Sequence, residues 1–377
     1  MSQFKNGPEG RVAQVRVMME QRGYDAVVVR NEANMRWMTG AEGVFDFTFE
    51  FPHVIIITAE NLYLHTDSRY FNSLCEALGK QTPWKLDMDD VAIPTWIARC
   101  LINNHVRVAA IEDTTQLNVF EATKRAVEDM SGVVLFTQMH ADIDRMRISK
   151  DEQELETMRA AQVITDKTFT HMCEFIKVGM TEKEIRSELE NFMFANGADG
   201  LAFSTIVASG PNTANPHAIP SDRKVEPGDF VLMDYGARKN DYCSDMTRTI
   251  CMGEPSAQQR DIYDTVRKAH ETCAAAAHAG VNGADIHNLA VKVISEAGYG
   301  DYFGHGLGHG VGIEIHEIPR FSPAWNKPVP AGSVVTCEPG IYLPGVGGVR
   351  LEDCGVVTEE GYKPFTTSTH ELVILPL

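Results

Sequence analysis

Three histidines, His305, His309 and His316, stand four and seven residues apart in a stretch that also carries Gly306, Gly308, Gly310 and Gly312. So much glycine breaks a helix and lets the main chain approach a ligand closely. This excludes the helical His-x-x-x-His zinc motif, in which an unbroken helix sets both rings on one face. A histidine in such a setting needs partners from elsewhere. The chain supplies them as two pairs of acids.

Asp229 to Gly236, introduced by Pro227-Gly228, reads as a strand, and Tyr242 to Ile250 as the next, with Lys239-Asn240 midway between them. A turn centred there sets Asp234 directly across from Asp245. Val334 to Glu338 and Val349 to Glu352 flank Pro344-Gly345-Val346-Gly347, and the midpoint at residue 345 sets Glu338 across from Glu352. Opposed side chains lie about 5 Å apart, and like charges so placed destabilise a sheet. Such pairs persist if one acid is protonated or if a cation lies between them. Four carboxylates and one imidazole, without thiolate, suit Mn²⁺, Co²⁺, Fe²⁺ or catalytic Zn²⁺ and disfavour a structural zinc. Four acids also exceed what one divalent ion needs, and suit two ions about 3.5–4 Å apart.

The elements that must position these groups form two blocks. Residues 1–140 alternate helical and strand patterns: Arg11 to Arg22, Asp67 to Leu78 and Leu117 to Met130 are helical. Asp25 to Val29, Val54 to Thr58, Leu62 to His65, Val106 to Ile111 and Val133 to Thr137 are of strand type. This predicts an α/β layer domain serving as a scaffold or interface; without a Gly-rich phosphate loop it is given no nucleotide. Residues 141–150 are charged and predict a linker, with Asp142, Asp144 and Asp151 solvated. Residues 151–377 then open on a long helix to about Val178.

That second block carries a worn internal repeat. Thr181, with Glu184 three residues later, marks a helix start by capping box, and the helix closes near Asn196-Gly197. At an offset of 101, Asn282, Asp285 and Gly298 repeat the arrangement. A long helix precedes each unit and an acid-bearing hairpin follows it, which predicts two α+β halves related by a pseudo-twofold axis.

At this point the residues resemble a known group. His305 to Glu317 matches the histidine signature of the pita-bread metallopeptidases, in the Xaa-Pro dipeptidase (prolidase) and aminopeptidase P branch of the creatinase/methionine aminopeptidase family. Further likeness lies in Ile206 to Gly210 with Asn215-Pro216-His217, Met233 to Gly236, Ser244 to Thr249, Glu338 to Tyr342 and Gly348 to Asp353. It is strong from about residue 145 onward. Over 1–140 it is a creatinase-type domain through weaker features such as Asn31 to Gly40.

The resemblance implies that Asp234, Asp245, His309, Glu338 and Glu352 bind two divalent ions, Mn²⁺ first, with Co²⁺, Zn²⁺ or Fe²⁺ as alternatives. It implies that Asp245 and Glu352 bridge them, Asp234 holds one, and His309 with Glu338 hold the other. A hydroxide between the ions would attack the scissile carbonyl of an Xaa-Pro bond, with Glu338 as proton shuttle and His217 and His316 bonded to substrate and oxyanion. Arg350, two residues from Glu352 on a flat strand, would share its face and could clasp a substrate carboxylate. The plainer alternatives stay open: His217 solvated in its loop, His305 packing beside the site with a substrate role second, His316 at the surface, and Arg350 only neutralising the acids. His65, His140, His171, His278 and His287 read as structural. His370 stands where relatives often carry Lys, with no consequence attached.

Composition narrows the rest. Thirty-four basic against fifty-two acidic residues, net −18, argue against nucleic acid and anionic membrane surfaces. No apolar run approaches the roughly 18 residues of a membrane helix, and Met1 to Pro8 lacks the apolar core of a signal peptide. Eight cysteines without Cys-x-x-Cys predict buried free thiols in a cytoplasmic protein. A small peptide is then the expected partner, and the resemblance adds a homodimer through the N-terminal domain. Competing readings on the same scaffold are a dimethylsulfoniopropionate lyase or a creatinase-like C–N hydrolase, the latter disfavoured by the full ligand set. A non-enzymatic interaction protein, which would have lost ligands, ranks last.

Overall fold

A computed structural model describes residues 7–45 and 52–377, so most of the N-terminal octapeptide weighed above lies outside the described residues. The chain divides into two compact units, residues 1–147 and 148–377. Among the described residues no helix is long and apolar enough to cross a membrane.

The first unit runs α1 (Pro8–Arg22), β1 (Ala26–Val29), α2 (Glu32–Thr39), β2 (Val54–Thr58), β3 (Leu62–His65), α3 (Phe71–Leu78), β4 (Lys85–Asp87), α4 (Ile93–Asn103), β5 (Val108–Ile111), α5 (Leu117–Asp129), β6 (Leu135–Gln138) and α6 (Asp142–Met146). Its sheet, ordered β4-β3-β2-β1-β5-β6, is mixed: β1 pairs antiparallel with β2 and parallel with β5. The expected strands and helices form, and α2, α4 and β4 are additions. The segment expected as a solvated linker differs. Residues 142–146 are helical, Asp142 is buried against Arg22 and Arg145 at 2.9 and 3.0 Å, and Asp151 caps the next helix through Glu154. An acid with a guanidinium or an open helix end beside it gains more by folding in than by staying hydrated.

The second unit continues with α7 (Glu152–Phe175), α8 (Glu182–Ala195), β7 (Gly200–Leu201), β8 (Ile206–Ser209), β9 (Phe230–Tyr235), β10 (Ala237–Lys239), β11 (Tyr242–Cys243) and β12 (Met246–Met252). Then come α9 (Ala257–Ala276), α10 (Gly283–Glu296), β13 (Gly308–Gly310), β14 (Glu317–Phe321), β15 (Val334–Cys337), β16 (Gly340–Leu343), β17 (Gly347–Arg350), β18 (Asp353–Thr358), β19 (Gly361–Pro364) and β20 (Ile374–Leu375). The repeat is visible in the fold. The helices α8 and α10 are both 14 residues long, capped by the side chains of Thr181 and Asn282. Those two caps also make matching bridges, Thr181 to Lys224 and Asn282 to Pro328. The chain is α+β, with sheets β20-β12-β9-β8 and β14-β13-β15-β18-β19 at the heart of the two halves.

Each half has its own apolar packing. Met172, Ile185, Leu189, Val231, Met233 and Ile250 fill the first, and Ala290, Leu307, Phe321, Val335 and Val357 the second. Burying one such Leu, Ile or Val contributes about 1.5–3 kcal/mol, so the strands bearing the acids stand on firm layers. All eight cysteines are free; six are buried, Cys173 is partly so and Cys75 is exposed.

Candidate active site

Both hairpins deliver acids to one place, but by different registers. In the first, Asn240 and Asp241 take left-handed φ values of 46° and 69° and form a two-residue turn between paired Lys239 and Tyr242. The turn centre therefore lies one residue beyond the expected position. Asp234 faces Thr247, and Asp245 sits diagonally, just before β12. The two acids still share a face, because side chains alternate with period two. In the second, Cys337 pairs with Asp353 and Gly340 with Arg350. One register runs through both pairs and sets Glu338 across from Glu352.

The glycine stretch brings the imidazole between them. The strand β13 lies against β14 and β15, with a bulge at His309-Gly310. A Cβ on Gly308 would fall 2.0 Å from the Thr336 carbonyl oxygen, so only glycine permits that approach. His309 Nδ1 lies 3.0 Å from the Gly310 carbonyl, which can only accept, so Nδ1 carries the proton. The Nε2 lone pair then points at Asp245 (3.5 Å) and Glu338 (3.4 Å). A backbone carbonyl fixing the tautomer is how proteins prepare a histidine for a metal. Burial, with His316 nearby, lowers His309 to about 3 and keeps the ring neutral.

The acids repel one another. Burial, then Glu352, Asp234 and Glu338, raise Asp245 well above the usual carboxylate range. Burial followed by Glu338 and Asp234 raises Glu352 likewise, and burial raises Glu338 to about 8. Thr247 donates to Glu352 at 2.6 Å, and Thr336 to Glu338 at 3.1 Å. Arg350 Nη2 meets Asp234 Oδ2 at 2.5 Å, one guanidinium against four carboxylates. Asp234 Oδ1 is buried, with no hydrogen-bond partner among the described residues. An orphaned buried carboxylate oxygen, three raised acids and an aimed imidazole lone pair fit divalent cations. Asp245, His309 and Glu352 already bring ligand atoms within 4.8 Å of one another.

These groups line a cavity of about 780 Å³. All nine residues singled out in the sequence line it: His217, Asp234, Asp245, His305, His309, His316, Glu338, Arg350 and Glu352. Their situations differ. His305 is committed, Nδ1 to the Gly306 carbonyl at 2.8 Å and Nε2 to the Tyr342 hydroxyl at 2.9 Å, and that hydroxyl accepts from Arg350 Nη1 at 2.9 Å. Burial and Arg350 lower His305 to about 4. Both ring nitrogens are thus engaged within the protein. Arg350 reaches the site, but its fork is spent on Asp234, Tyr342, Thr247 and the Pro216 carbonyl. His217 and His316 are exposed at the mouth, with the His316 ring 4.4 Å from that of His309.

Sequence reasoning missed four contributors. Glu182 is wholly buried and accepts from Ser209, Asn212 and Ser221, pinning both ends of the loop that carries His217. At the first position of a helix it looks like an ordinary end charge. Arg248 clamps the Thr247 and Glu352 carbonyls at 2.9 and 2.6 Å, and Thr247 holds the Glu352 carboxylate. Arg320 is an exposed cation in the cavity wall, paired across the sheet with His309, and no carboxylate partners it among the described residues. Its alternation with His316 and Ile318 along one strand face was the available signal.

A tautomer-fixed imidazole facing buried carboxylates in an open cavity has the donor chemistry of a metalloenzyme site. The chain belongs to metallopeptidase family M24, whose model matches residues 156–359, and a Creatinase/Prolidase N-terminal domain model matches residues 11–149. It is 41% identical to the Xaa-Pro dipeptidase of Pyrococcus furiosus over 272 residues, 72% of this chain and 77% of that one. Among solved structures it resembles an Xaa-Pro dipeptidase from Bacillus anthracis, with a TM-score of 0.90 and 34% identity over 98% of this chain and 100% of that one. It also resembles an X-Pro aminopeptidase from Thermotoga maritima, with a TM-score of 0.84 and 34% identity over 95% and 100%.

Proposed function

We propose that the protein is a dipeptidase cleaving Xaa-Pro bonds with two divalent ions held by Asp234, Asp245, His309, Glu338 and Glu352. Relatives named as dipeptidase and as aminopeptidase match to similar extents, so the choice rests on the cavity. Arg320 carries it: a guanidinium in the wall with no carboxylate partner among the described residues is what the free carboxylate of a dipeptide needs. Bound ions would supply activated water and polarise the scissile carbonyl, and Mn²⁺ suits this oxygen-rich donor set.

The chain's own residues do the rest. Glu338, with Oε1 held by Thr336, uses its other oxygen to take a proton from the attacking water and returns it to the proline nitrogen as the C–N bond breaks. His316, partly desolvated and held toward its neutral form, offers an N–H to the developing oxyanion. His217 approaches from the opposite loop and orients the peptide. An Xaa-Pro nitrogen carries no N–H, so selection for proline falls to ring shape against Phe203, Ile315 and Ile219.

Proline release from Xaa-Pro dipeptides and Xaa-Pro-Xaa tripeptides tests this, using metal-stripped protein with and without Mn²⁺, Co²⁺ or Zn²⁺ beside Asp245→Asn. Metal-dependent cleavage of dipeptides alone supports the proposal. Cleavage of tripeptides shifts it to an aminopeptidase. No cleavage with ions still bound would promote a lyase on the same scaffold.

A further inference from the structure

On the far side of Glu352 lies a second cluster that the peptidase chemistry does not use. Asp353 follows Glu352 directly and opens β18. His270 comes from α9, and His370 from the segment between β19 and β20. None of the three lines the cavity. His370 Nε2 lies 2.9 Å from Asp353 Oδ2, and His270 Nε2 lies 3.5 Å from the same oxygen. The two rings stand 4.6 Å apart, centre to centre.

A buried ion pair explains only part of this. Asp353 Oδ1 already accepts from Arg248 at 2.8 Å, so its charge has a partner without either histidine. His270 is 1% exposed, and among the described residues neither ring nitrogen has a hydrogen-bond partner. Leaving a polar group buried and unbonded is unfavourable, so an unused imidazole here calls for an acceptor of its lone pair. Tetrahedral bonds of about 2.0–2.1 Å place donor atoms roughly 3.3 Å apart, between the two distances observed. The same spacing occurs in the cavity, where His309 Nε2 lies 3.4 and 3.5 Å from its carboxylates. Each residue offers a ligand atom, and the three atoms lie within 4.8 Å of one another. The His370 side chain is 30% exposed, which leaves an entry path and room for a water as fourth ligand.

We propose that His270, Asp353 and His370 form a binding site for a single borderline transition-metal ion of the Zn²⁺ and Co²⁺ class, separate from the catalytic cavity. Two imidazoles and one carboxylate favour that class over Mn²⁺ or Mg²⁺. The site stands whether the cavity takes one ion or two.

Co²⁺ is the probe. Metal-stripped full-length protein is brought to equilibrium with Co²⁺, and ions bound per chain are counted for wild type, His370→Ala, Asp245→Asn and the double variant. The expected result is one ion fewer in His370→Ala than in wild type, and the same loss of one between Asp245→Asn and the double variant. A visible band of tetrahedral cobalt disappears with it. Failure of the cavity reading would appear instead as no loss of ions in Asp245→Asn. Equal counts with and without His370 would overturn the proposal, as would a His370-dependent ion held only at millimolar Co²⁺. Should His370→Ala not fold, His370→Gln and anomalous scattering from Co²⁺-soaked wild-type crystals decide: a peak between the three side chains supports the site, and its absence removes it.

Discussion

Arg350 and Asp234 are joined Nη2 to Oδ2 at 2.5 Å in the cavity wall, with side chains only 3% and 12% exposed. Removing one partner of such a pair strands a buried charge and costs about 3–5 kcal/mol. Arg350→Ala should therefore lower the thermal midpoint of metal-stripped protein sharply. A divalent ion should replace the lost charge, so Mn²⁺ should raise the midpoint more in the variant than in wild type. Scanning calorimetry with and without chelator checks this. Equal metal shifts would mean that Asp234 does not meet the ion.

The acids set a pH dependence with a definite sign. Burial holds Glu338 at about 8, above its ordinary 4.5, and Asp245 and Glu352 are raised in the same direction. A carboxyl raised on folding contributes stability in full below its unfolded pKa and loses it as pH climbs through its folded one. For Glu338 that window runs from about pH 4.5 to about 8. Metal-stripped wild type should lose stability across that window relative to Glu338→Gln, and saturating Mn²⁺ should close the gap. Metal binding near neutrality should also release protons, read as a buffer-dependent heat in titration calorimetry.

Arg320→Ala should raise KM for an Xaa-Pro dipeptide by about 10–100-fold, the worth of one charge-assisted hydrogen bond, with kcat changed much less. A dipeptide amide, lacking the carboxylate, should feel little of this. Steady-state kinetics on the matched pair decide whether Arg320 or some other group reads the free end.

Glu182→Ala should act at a distance. Its carboxylate receives five hydrogen bonds, from Ser209 N and Oγ, Asn212 Nδ2, and Ser221 N and Oγ. Losing it leaves buried donors without that acceptor and costs about 2–4 kcal/mol. The loop bearing His217 should loosen, so kcat/KM should fall while bound-metal stoichiometry stays constant. A parallel loss of metal would place the damage in the cavity itself.

Much of the site was legible because it is written locally. His309 announces itself through glycines whose absent Cβ atoms allow β13 to slide beneath the Thr336 carbonyl. The Glu338–Glu352 register follows from counting outward from Gly345. The Asp234–Asp245 register did not follow, since the left-handed pair lies at Asn240-Asp241 and not at Lys239-Asn240. Period-two alternation forgave the slip. What stayed hidden was long-range. Arg350 lies on the right strand, but only the fold shows that Asp234, 116 residues away, already holds its guanidinium. In the first unit, α2 escaped notice because seven of its eight residues are buried and no polar stripe marks the period.

The two halves of the second unit contribute unequally to what lies between them. Asp234 and Asp245 come from one half, and His309, Glu338 and Glu352 from the other. The seam is already sewn by backbone: the Glu352 amide donates to the Thr247 carbonyl at 3.1 Å, and the Cys243 amide to the Gly312 carbonyl at 2.8 Å. On the proposed ligand set, neither half alone holds every donor. An ion held by that set would be a cross-link as much as a reagent. Its loss would soften the joint before it softened either half.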